Sequence, residues 1–353
     1  MRRLFLPLAT LILLVAAVLR LWQLSSYPPG PHYDEAVSLL ITRSIAFGGA
    51  RFFPIVEAYQ GREVLYMYLN APLLHLLGND ILTLRVGSVF INLITAAATI
   101  ALGRTMFRGQ RGVVIGLVMG VLIALSFPQV WLARQAFRAG AQPMIQALAL
   151  LFLWRGLRGN GRWLAVGGLF AGAVLYTYMA SRLFPLWLLL GGLALLLADR
   201  RRWRLRLRQG LVFFGVMALT ALPLLVYAVQ RPDIFFARLE EVTQPEQSVT
   251  LAESVVLHLR MFFLEGDPYL RYNIPHRPYL TWLEGLLMLA GMGTAAWRLF
   301  AVRKLDAPER AAYALALLSP LMVIPSERMW LGGSPPTEIT LGITISGDSS
   351  ASA

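Results

Sequence analysis

Long apolar blocks limit what this chain can fold into more than any other feature of the sequence. Of its 353 residues, 57% are hydrophobic and only 14% are charged, whereas about a quarter of an average soluble domain is charged. The apolar residues fall in blocks of about 20 rather than in the rhythm of a half-buried helix or strand, and such blocks are typical of membrane spans. The sequence therefore predicts an all-α polytopic membrane protein.

The blocks separate into about nine transmembrane helices. The first lies within Met1–Leu24, and we interpret it as a retained span because no small-residue cleavage pattern of a signal peptide precedes "SSYPPG". The other eight are predicted at Ile81–Leu102, Gly112–Leu132, Gln142–Leu157, Trp163–Ala180, Leu183–Ala198, Gly210–Val229, Leu280–Phe300 and Arg310–Pro325.

The positions of the arginines predict the orientation of these spans. The net charge is +13, and the arginines cluster at block ends, as in "DRRRWRLRLR" from Asp199 to Arg208. Such clusters are typical of cytoplasmic loops rather than of a nucleic-acid interface, so we expect a multi-pass plasma-membrane protein and no nucleic-acid partner. Its N-terminus would be cytoplasmic, and the two large loops, Ser25–Asp80 and Gln230–Tyr279, would be extracytoplasmic.

A shorter apolar stretch, Val64–Gly78, is too short to span a bilayer comfortably. If it crossed the membrane, every later loop would change sides and the arginine clusters would lie outside. We therefore predict an interfacial or re-entrant helix within the first outer loop, with Tyr66, Tyr68 and His75 at the depth of the lipid headgroups.

The first outer loop also contains two adjacent acids in "YPPGPHYDEAVSLL". Asp34 and Glu35 begin an apparent helix, with His32 and Tyr33 just before them, and the N-terminus of a helix favours an ionised carboxylate. A carboxylate held above the membrane can act as a general base or bind a divalent cation. The alternative interpretation is an ordinary solvated pair of acids at a helix start.

Three arginines lie on the same predicted outer side, against the usual distribution of charge. Arg134 and Arg138 are four residues apart in "RQAFRAGAQP", and Arg182 lies in "YTYMASRLFP". Lipid headgroups can supply their counter-charge. A bound phosphate or diphosphate is the second interpretation, because the fork of donors on a guanidinium matches phosphate oxygens.

The second outer loop mixes polar and aromatic residues in "FLEGDPYLRYNIPHRPYLTW". Its candidate contacts for a sugar or an acceptor are Asp267, Arg271, Asn273 and His276, together with His32 and Tyr33 of the first loop. The same composition is also typical of an interfacial loop that binds nothing.

The chain lacks several motifs of soluble catalytic domains. It has no phosphate-binding P-loop, no dinucleotide-binding glycine fingerprint, no HExxH and no GxSxG, and the absence of cysteine excludes a thiolate metal site. We therefore expect no nucleotide or organic cofactor and leave a divalent metal open. A donor would reach the site from within or alongside the bilayer.

The order of these segments resembles the membrane module of GT-C glycosyltransferases, and in particular the protein O-mannosyltransferase and aminoarabinose transferase group (glycosyltransferase family 39 and its bacterial relatives). A first span is followed by "GPHYDEA", "LYMYLNAPLLHLLG", "LRVGSVFINLITAAATIALGRTMFRG", "RQAFRAGAQP", "YTYMASRLFP" and "GDPYLRYNIPHRP". The resemblance implies transfer of a sugar from a polyprenyl-phosphate donor to a lipid, glycan or protein acceptor. It implies that Asp34, with Glu35 beside it, orients or deprotonates the acceptor, and that Arg134, Arg138 and Arg182 hold the lipid phosphate.

The sequence also departs from that group. Where relatives continue into a second acid, this chain has Ala141 and Gln142, which argues against a two-carboxylate or metal-linked mechanism. We predict a transferase module over residues 1–330 and a polar, disordered tail over residues 331–353. The alternatives are a lipid-linked sugar transporter or flippase, and an inactive truncated relative.

Overall fold

A computed structural model describes residues 2–57, 61–236, 251–266, 273–302 and 305–319. Within these ranges the protein is almost entirely helical. Its α-helices are α1 (Phe5–Leu21), α2 (Tyr33–Ala46), α3 (Leu65–Leu77), α4 (Ile81–Met106), α5 (Gly109–Leu125), α6 (Phe127–Ala133), α7 (Ala141–Arg158), α8 (Arg162–Ala173), α9 (Phe184–Ala198), α10 (Trp203–Gln230), α11 (Leu251–Phe263), α12 (Trp282–Ala301) and α13 (Ala307–Leu318). The tail predicted at residues 331–353 lies outside the described residues.

The described structure also contains two short strands and five turns of 3-10 helix. The strands β1 (Ile55–Val56) and β2 (Arg62–Glu63) pair antiparallel. The 3-10 turns are Arg2–Leu4, Arg138–Gly140, Val174–Tyr176, Met179–Leu183 and Arg200–Arg202.

By length and composition, three helical stretches of the described chain can cross a membrane: Ile81–Met106, Met179–Ala198 and Arg200–Gln230. A fourth is added if α5 and α6, which meet at an angle of 62°, form one broken span. Many leucines and valines on α1 and α10 point away from the rest of the protein and are exposed, as expected for side chains that face lipid. The protein is thus a polytopic helical membrane protein, and the full count of nine spans stays a prediction.

The bundle has two ends, because successive long helices run in opposite directions. At one end Arg85, near the start of α4, contacts Glu35 of α2. At the other end Arg158, the last residue of α7, contacts Asp306 and the last carbonyl of α4 at Met106. We call these the Asp34 end and the arginine end. Asp199 and the arginines of Arg200–Arg208 belong to the arginine end.

Close helix contacts in the core depend on small residues. A side chain at Gly168 of α8 would lie 2.3 Å from the carbonyl oxygen of Phe213 in α10, and one at Gly172 would lie 2.6 Å from that of Met217. Only glycine permits this approach of two backbones, which is the way membrane helices commonly pack. The main apolar core lies among α4, α7, α8 and α10, and α2 and α3 cover it at the Asp34 end.

Two predicted spans are not continuous α-helices in the structure. The predicted span Gly112–Leu132 is broken at Ser126, where α5 ends and α6 begins with Pro128 in its first turn. Proline lacks the backbone N–H that a continuous helix needs, so Pro128 accounts for the break. The predicted span Trp163–Ala180 is α-helical only to Ala173, and Val174–Tyr176 tightens into a 3-10 turn.

The segment predicted to be an interfacial or re-entrant helix is helical, as α3. It packs against α2 and the first turns of α4. The ring of Tyr66 is fully buried within the protein, and its hydroxyl lies 2.7 Å from that of Ser88. The position of α3 relative to a bilayer stays a prediction.

Candidate active site

Asp34 is buried in the first turn of α2 and forms an ion pair with a strand residue. Its Oδ1 lies 2.8 Å from Nη2 of Arg62 in β2, and both side chains are buried. The first turn of a helix carries partial positive charge, which adds to the stabilisation of an ionised carboxylate there. The sequence predicted the acid and its place on the helix but not its partner.

Glu35, the next residue, accepts hydrogen bonds at both of its oxygens. Oε1 accepts from Nε of Arg85 and from the backbone N–H of Ala136, each at 2.9 Å. Oε2 accepts from Nη2 of Arg85 at 2.8 Å and from the backbone N–H of His32 at 3.0 Å. A carboxylate has about four acceptor positions, and here each is used.

The pKa of Glu35 follows from this environment. Burial raises the pKa, but the hydrogen bonds from Arg85, Ala136 and His32 outweigh burial, and the pKa lies below its ordinary value. Glu35 is therefore ionised at neutral pH. It joins the start of α2 to α4 and to the loop that carries Arg134 and Arg138.

His32 caps α2. Its Nδ1 accepts a hydrogen bond of 3.2 Å from the backbone N–H of Asp34, in the position where a serine or aspartate usually caps a helix. Tyr33 is exposed, with its ring 4.2 Å from the imidazole ring of His32. Both residues therefore lie beside Asp34, as the sequence predicted.

Glu63 of β2 lies between two of the three predicted arginines. Its Oε2 is 3.6 Å from Nε of Arg138, and its Oε1 is 3.8 Å from Nη2 of Arg182. Arg138 and Glu63 are buried, and Arg182 is half-buried. The guanidinium of Arg182 also lies over the ring of Phe235 at 3.9 Å, a favourable cation–π geometry.

Strand β2 therefore joins the two predicted halves of the site. Arg62 pairs with Asp34, and the adjacent Glu63 pairs with Arg138 and Arg182. Successive side chains of a strand point in opposite directions, which is why two neighbouring residues serve two different partners. Arg62, Arg138 and Arg182 thus lie around two carboxylates, those of Asp34 and Glu63.

Arg134 has a different environment from the other two arginines. Its guanidinium donates to four backbone carbonyl oxygens, those of Leu19, Arg20, Gln23 and Tyr27, at 2.9 to 3.2 Å. These carbonyls follow or end α1, so Arg134 fastens the chain between α1 and α2 to the α6 region. Arg134 thus lies at the Asp34 end, but its donors are directed to the backbone.

The second outer loop is described in part. Asn273 is buried, and its Nδ2 donates to the carbonyl oxygen of Arg277. His276 is exposed, with Nδ1 3.1 Å from Oε1 of Glu265. Asp267 and Arg271 lie outside the described residues. Contact between this loop and a sugar or an acceptor therefore stays a prediction.

The described residues contain no group of three or more histidine or acidic side chains placed to hold a metal ion. Asp34 and Glu35 point to different partners, so they do not form such a group with each other. Metal dependence stays open, as it was from the sequence.

Comparison with known proteins addresses the fold. No protein-family model matches the sequence, and there is no significant match among curated proteins. Among solved structures, the chain is similar to the crystal structure of ArnT from Cupriavidus metallidurans bound to undecaprenyl phosphate, with 16% identity and a TM-score of 0.50 over 92% of this chain. The chain has the ArnT fold.

ArnT is an aminoarabinose transferase of the GT-C family, so the resemblance inferred from the sequence is confirmed for the fold. The chain spans 59% of the length of ArnT. At 16% identity the likeness does not transfer the activity, donor or acceptor of ArnT to this protein.

The sequence analysis missed three residues of the site: Arg62, Glu63 and Arg85. Arg85 carried the clearest signal, because it is a single charge in the first turns of the predicted span Ile81–Leu102, and a charge near a membrane span needs a partner. Arg62 and Glu63 precede the apolar stretch from Val64, where they are easily taken for loop charges.

Proposed function

We propose that this protein is a membrane glycosyltransferase that transfers a sugar from a polyprenyl-phosphate donor to an acceptor on the extracytoplasmic face of the plasma membrane. The observation that supports this most directly is the meeting of Asp34, Arg138 and Arg182 at β2. ArnT, whose fold the chain shares, binds undecaprenyl phosphate. A polyprenyl lipid is therefore the first ligand to test.

Asp34 is proposed as the general base. Its carboxylate would take the proton of an acceptor hydroxyl or amine as that group attacks the anomeric carbon of the donor. The bond between that carbon and the phosphate oxygen breaks, and polyprenyl phosphate leaves with the electron pair. Arg62 keeps Asp34 ionised before the acceptor binds, because an adjacent positive charge favours the carboxylate form.

Arg138 and Arg182 are proposed to hold the phosphate of the donor. As the sugar leaves, charge accumulates on this phosphate, and fixed guanidinium groups that stabilise it lower the barrier. Glu63 holds the two arginines in place when no donor is bound. The fork of donors on each guanidinium matches the oxygens of a phosphate.

The other predicted residues receive supporting roles in this proposal. Glu35 positions the start of α2 relative to Arg85 and the arginine loop. Arg134 fixes the chain between α1 and α2. His32 and Tyr33 lie next to Asp34 and would contact the acceptor or the sugar, and the same role is proposed for Asp267, Arg271, Asn273 and His276 of the second loop.

The orientation in the membrane follows from charge. The loops at the arginine end are rich in arginine, most of all in the segment Arg200–Arg208. Loops rich in arginine and lysine usually remain in the cytoplasm. The Asp34 end would then be extracytoplasmic. Labelling of an introduced cysteine at exposed Tyr33 by a membrane-impermeant reagent in intact cells tests this orientation.

The test of the activity uses the full chain in liposomes, with a panel of polyprenyl-phosphate sugars and a membrane extract as acceptor source. Release of free polyprenyl phosphate is measured. Asp34→Asn should lower the rate by about 10²–10⁴-fold, the range of a general base. The matched control is Asp80→Asn, because Asp80 caps α4 through its contact with Thr83, and asparagine caps a helix equally well.

Three outcomes would overturn the proposal. One is an Asp34→Asn variant that releases polyprenyl phosphate at the wild-type rate, because Asp34 would then not be the general base. Another is movement of the intact donor across the bilayer without release of polyprenyl phosphate, which indicates a transporter. The third is a folded, lipid-binding protein that releases polyprenyl phosphate from no donor, which indicates an inactive relative.

A further inference from the structure

An apolar cavity lies at the opposite end of the bundle from Asp34. It has a volume of about 580 Å³ and lies among α7, α8, α9, α10 and α13. Its wall is almost wholly apolar and includes Leu153, Leu164, Leu188, Phe213 and Leu315. A cavity of this volume is within the range of sites that hold small organic ligands, and its lining suits a hydrocarbon chain.

One part of the cavity wall is cationic. Arg206 lines the cavity, and its side chain is only 7% exposed. Its Nε donates to Asp199 and its Nη1 to Gln209, each at 2.9 Å. No described residue accepts a hydrogen bond from Nη2 of Arg206, so a buried guanidinium beside the cavity keeps donors for a further acceptor.

Further positive charge surrounds this position. Arg200, Arg201, Arg202, Arg204 and Arg208 are exposed on the same segment, and no carboxylate of the described residues lies within ion-pairing distance of them. An apolar cavity with a cationic entrance complements a molecule with an apolar chain and an anionic headgroup. The acyl chain of a zwitterionic lipid also fits the apolar cavity, but its neutral headgroup is attracted less strongly to the arginines at the entrance.

We propose that this cavity binds an anionic phospholipid, with one acyl chain among α7, α9 and α10 and the phosphate at Arg206. The site is separate from the proposed active site, because its lining residues belong to the arginine end. It would order the segment between α9 and α10 and stabilise the packing of α9 against α13.

Three glycines that line the cavity allow it to be filled without a clash. A Cβ at Gly215 meets no atom within 4 Å, and one at Gly192 or Gly210 meets only the ring of Phe214, at 3.5 and 4.0 Å. Gly215→Leu therefore places a side chain in the space that we assign to the acyl chain. The matched control is Gly291→Leu, because a Cβ at Gly291 of α12 is equally unobstructed and does not line the cavity.

The experiment removes lipid from the full-length protein in detergent and then adds phosphatidylglycerol, phosphatidylcholine or undecaprenyl phosphate. Bound lipid is counted by native mass spectrometry. The wild type and Gly291→Leu should bind one phosphatidylglycerol at least tenfold more tightly than phosphatidylcholine. Gly215→Leu should bind phosphatidylglycerol at least tenfold more weakly than the wild type.

Equal binding of phosphatidylglycerol by the wild type and by Gly215→Leu would overturn the proposal, and so would equal binding of the two phospholipids. Displacement of phosphatidylglycerol by undecaprenyl phosphate, with the same loss in Gly215→Leu, would assign the cavity to the polyprenyl carrier instead. If Gly215→Leu is not monodisperse by size exclusion, Gly192→Leu repeats the test at another wall of the same cavity.

Discussion

Two ion pairs, one at each end of this protein, lie in different surroundings. At the Asp34 end, Glu35 and Arg85 pair with side chains that are each 5% exposed. At the arginine end, Arg108 and Asp306 pair at 3.5 Å with side chains that are 77% and 31% exposed. A buried ion pair loses much of its hydration, whereas an exposed one is screened by water.

The difference in exposure between these two ion pairs implies a difference in what each pair costs to form. Exposed ion pairs such as Arg108–Asp306 lose little hydration free energy when they form, and they contribute little to the free energy of unfolding. The cluster at the Asp34 end is expensive to bury, since apolar residues of similar volume often stabilise a core at least as well. Perturbed, buried charges tend to gather at functional sites. At the Asp34 end four ionised side chains, Asp34, Glu35, Arg62 and Arg85, are buried together, which is consistent with the proposed active site.

The largest expected effect comes from breaking the buried pair. Arg85→Met leaves the Glu35 carboxylate buried with two backbone donors and no counter-charge. Loss of one partner of a buried pair costs about 3–5 kcal/mol, so the free energy of unfolding should fall by that amount. Denaturant titration of the protein in mixed micelles measures it, and a fall of under 1 kcal/mol would show that Glu35 does not depend on Arg85.

A second prediction separates the two kinds of arginine at the Asp34 end. Arg138→Gln should weaken binding of undecaprenyl phosphate at least tenfold, because it removes a guanidinium from the proposed phosphate site. Arg134→Gln should leave this affinity within about threefold, because its donors bind backbone carbonyls, and should lower the melting temperature instead. The affinity for undecaprenyl phosphate can be measured by quenching of tryptophan fluorescence or by calorimetry. Equal losses of affinity in both variants would contradict the assignment of the phosphate site to Arg138 rather than to Arg134.

A third prediction concerns pH. The pKa of Glu35 is lower in the folded protein than in the unfolded chain, where it is about 4.5. The ionised pair therefore contributes its full stability above pH 4.5, and this contribution is lost as the pH falls toward the folded pKa. Stability measured from pH 7 to pH 3 should fall in this window, and Glu35→Gln should flatten that part of the curve. An unchanged curve in Glu35→Gln would assign the acid sensitivity to other carboxylates.

The smallest expected effect is at the arginine end. Arg108→Met removes the exposed partner of Asp306, which still contacts Arg158 at 3.1 Å. The free energy of unfolding should change by about 0–1 kcal/mol, and any change should shrink further as salt is added. Together with Arg85→Met, this variant tests whether burial rather than pairing sets the energetic importance of a charge.

Much of the fold could be predicted because lipid imposes a simple rule on sequence. Spans must be apolar over about 20 residues, and the predicted span Ile81–Leu102 agrees with α4 to within a few residues at its end. Helix interiors were therefore easier to predict than breaks. The bend at Ser126 depends on a single proline, and hydropathy averaged over a window hides it.

The site could be predicted only where the residue type itself suggested chemistry. Asp34 and Arg138 stood out as charges on the same predicted face of the membrane. Glu63 did not, because its role depends on Arg138 and Arg182, which are distant in sequence. Glu35 and Arg85 are 50 positions apart, and neither helical nor strand periodicity carries information over that distance.

The burial of Tyr66 could not be predicted for the same reason. Tyrosine is enriched at membrane interfaces, so a tyrosine in a short apolar helix is expected near the headgroups. In the structure α3 packs on α4, and the Tyr66 hydroxyl meets Ser88. This contact between two helices depends on the tertiary structure, which the residue type alone does not reveal.

Arg20 ties the first helix to parts of the chain that are synthesised much later. Its guanidinium is fully buried and is bound by Asn92 of α4 and by the carbonyl oxygens of Ala124 and Ile123 in α5. Ala124 follows Arg20 by 104 positions, so these acceptors do not yet exist when α1 has been translated. Because a buried charge without partners is costly, we expect α1 to reach its final packing only after α5 has been made.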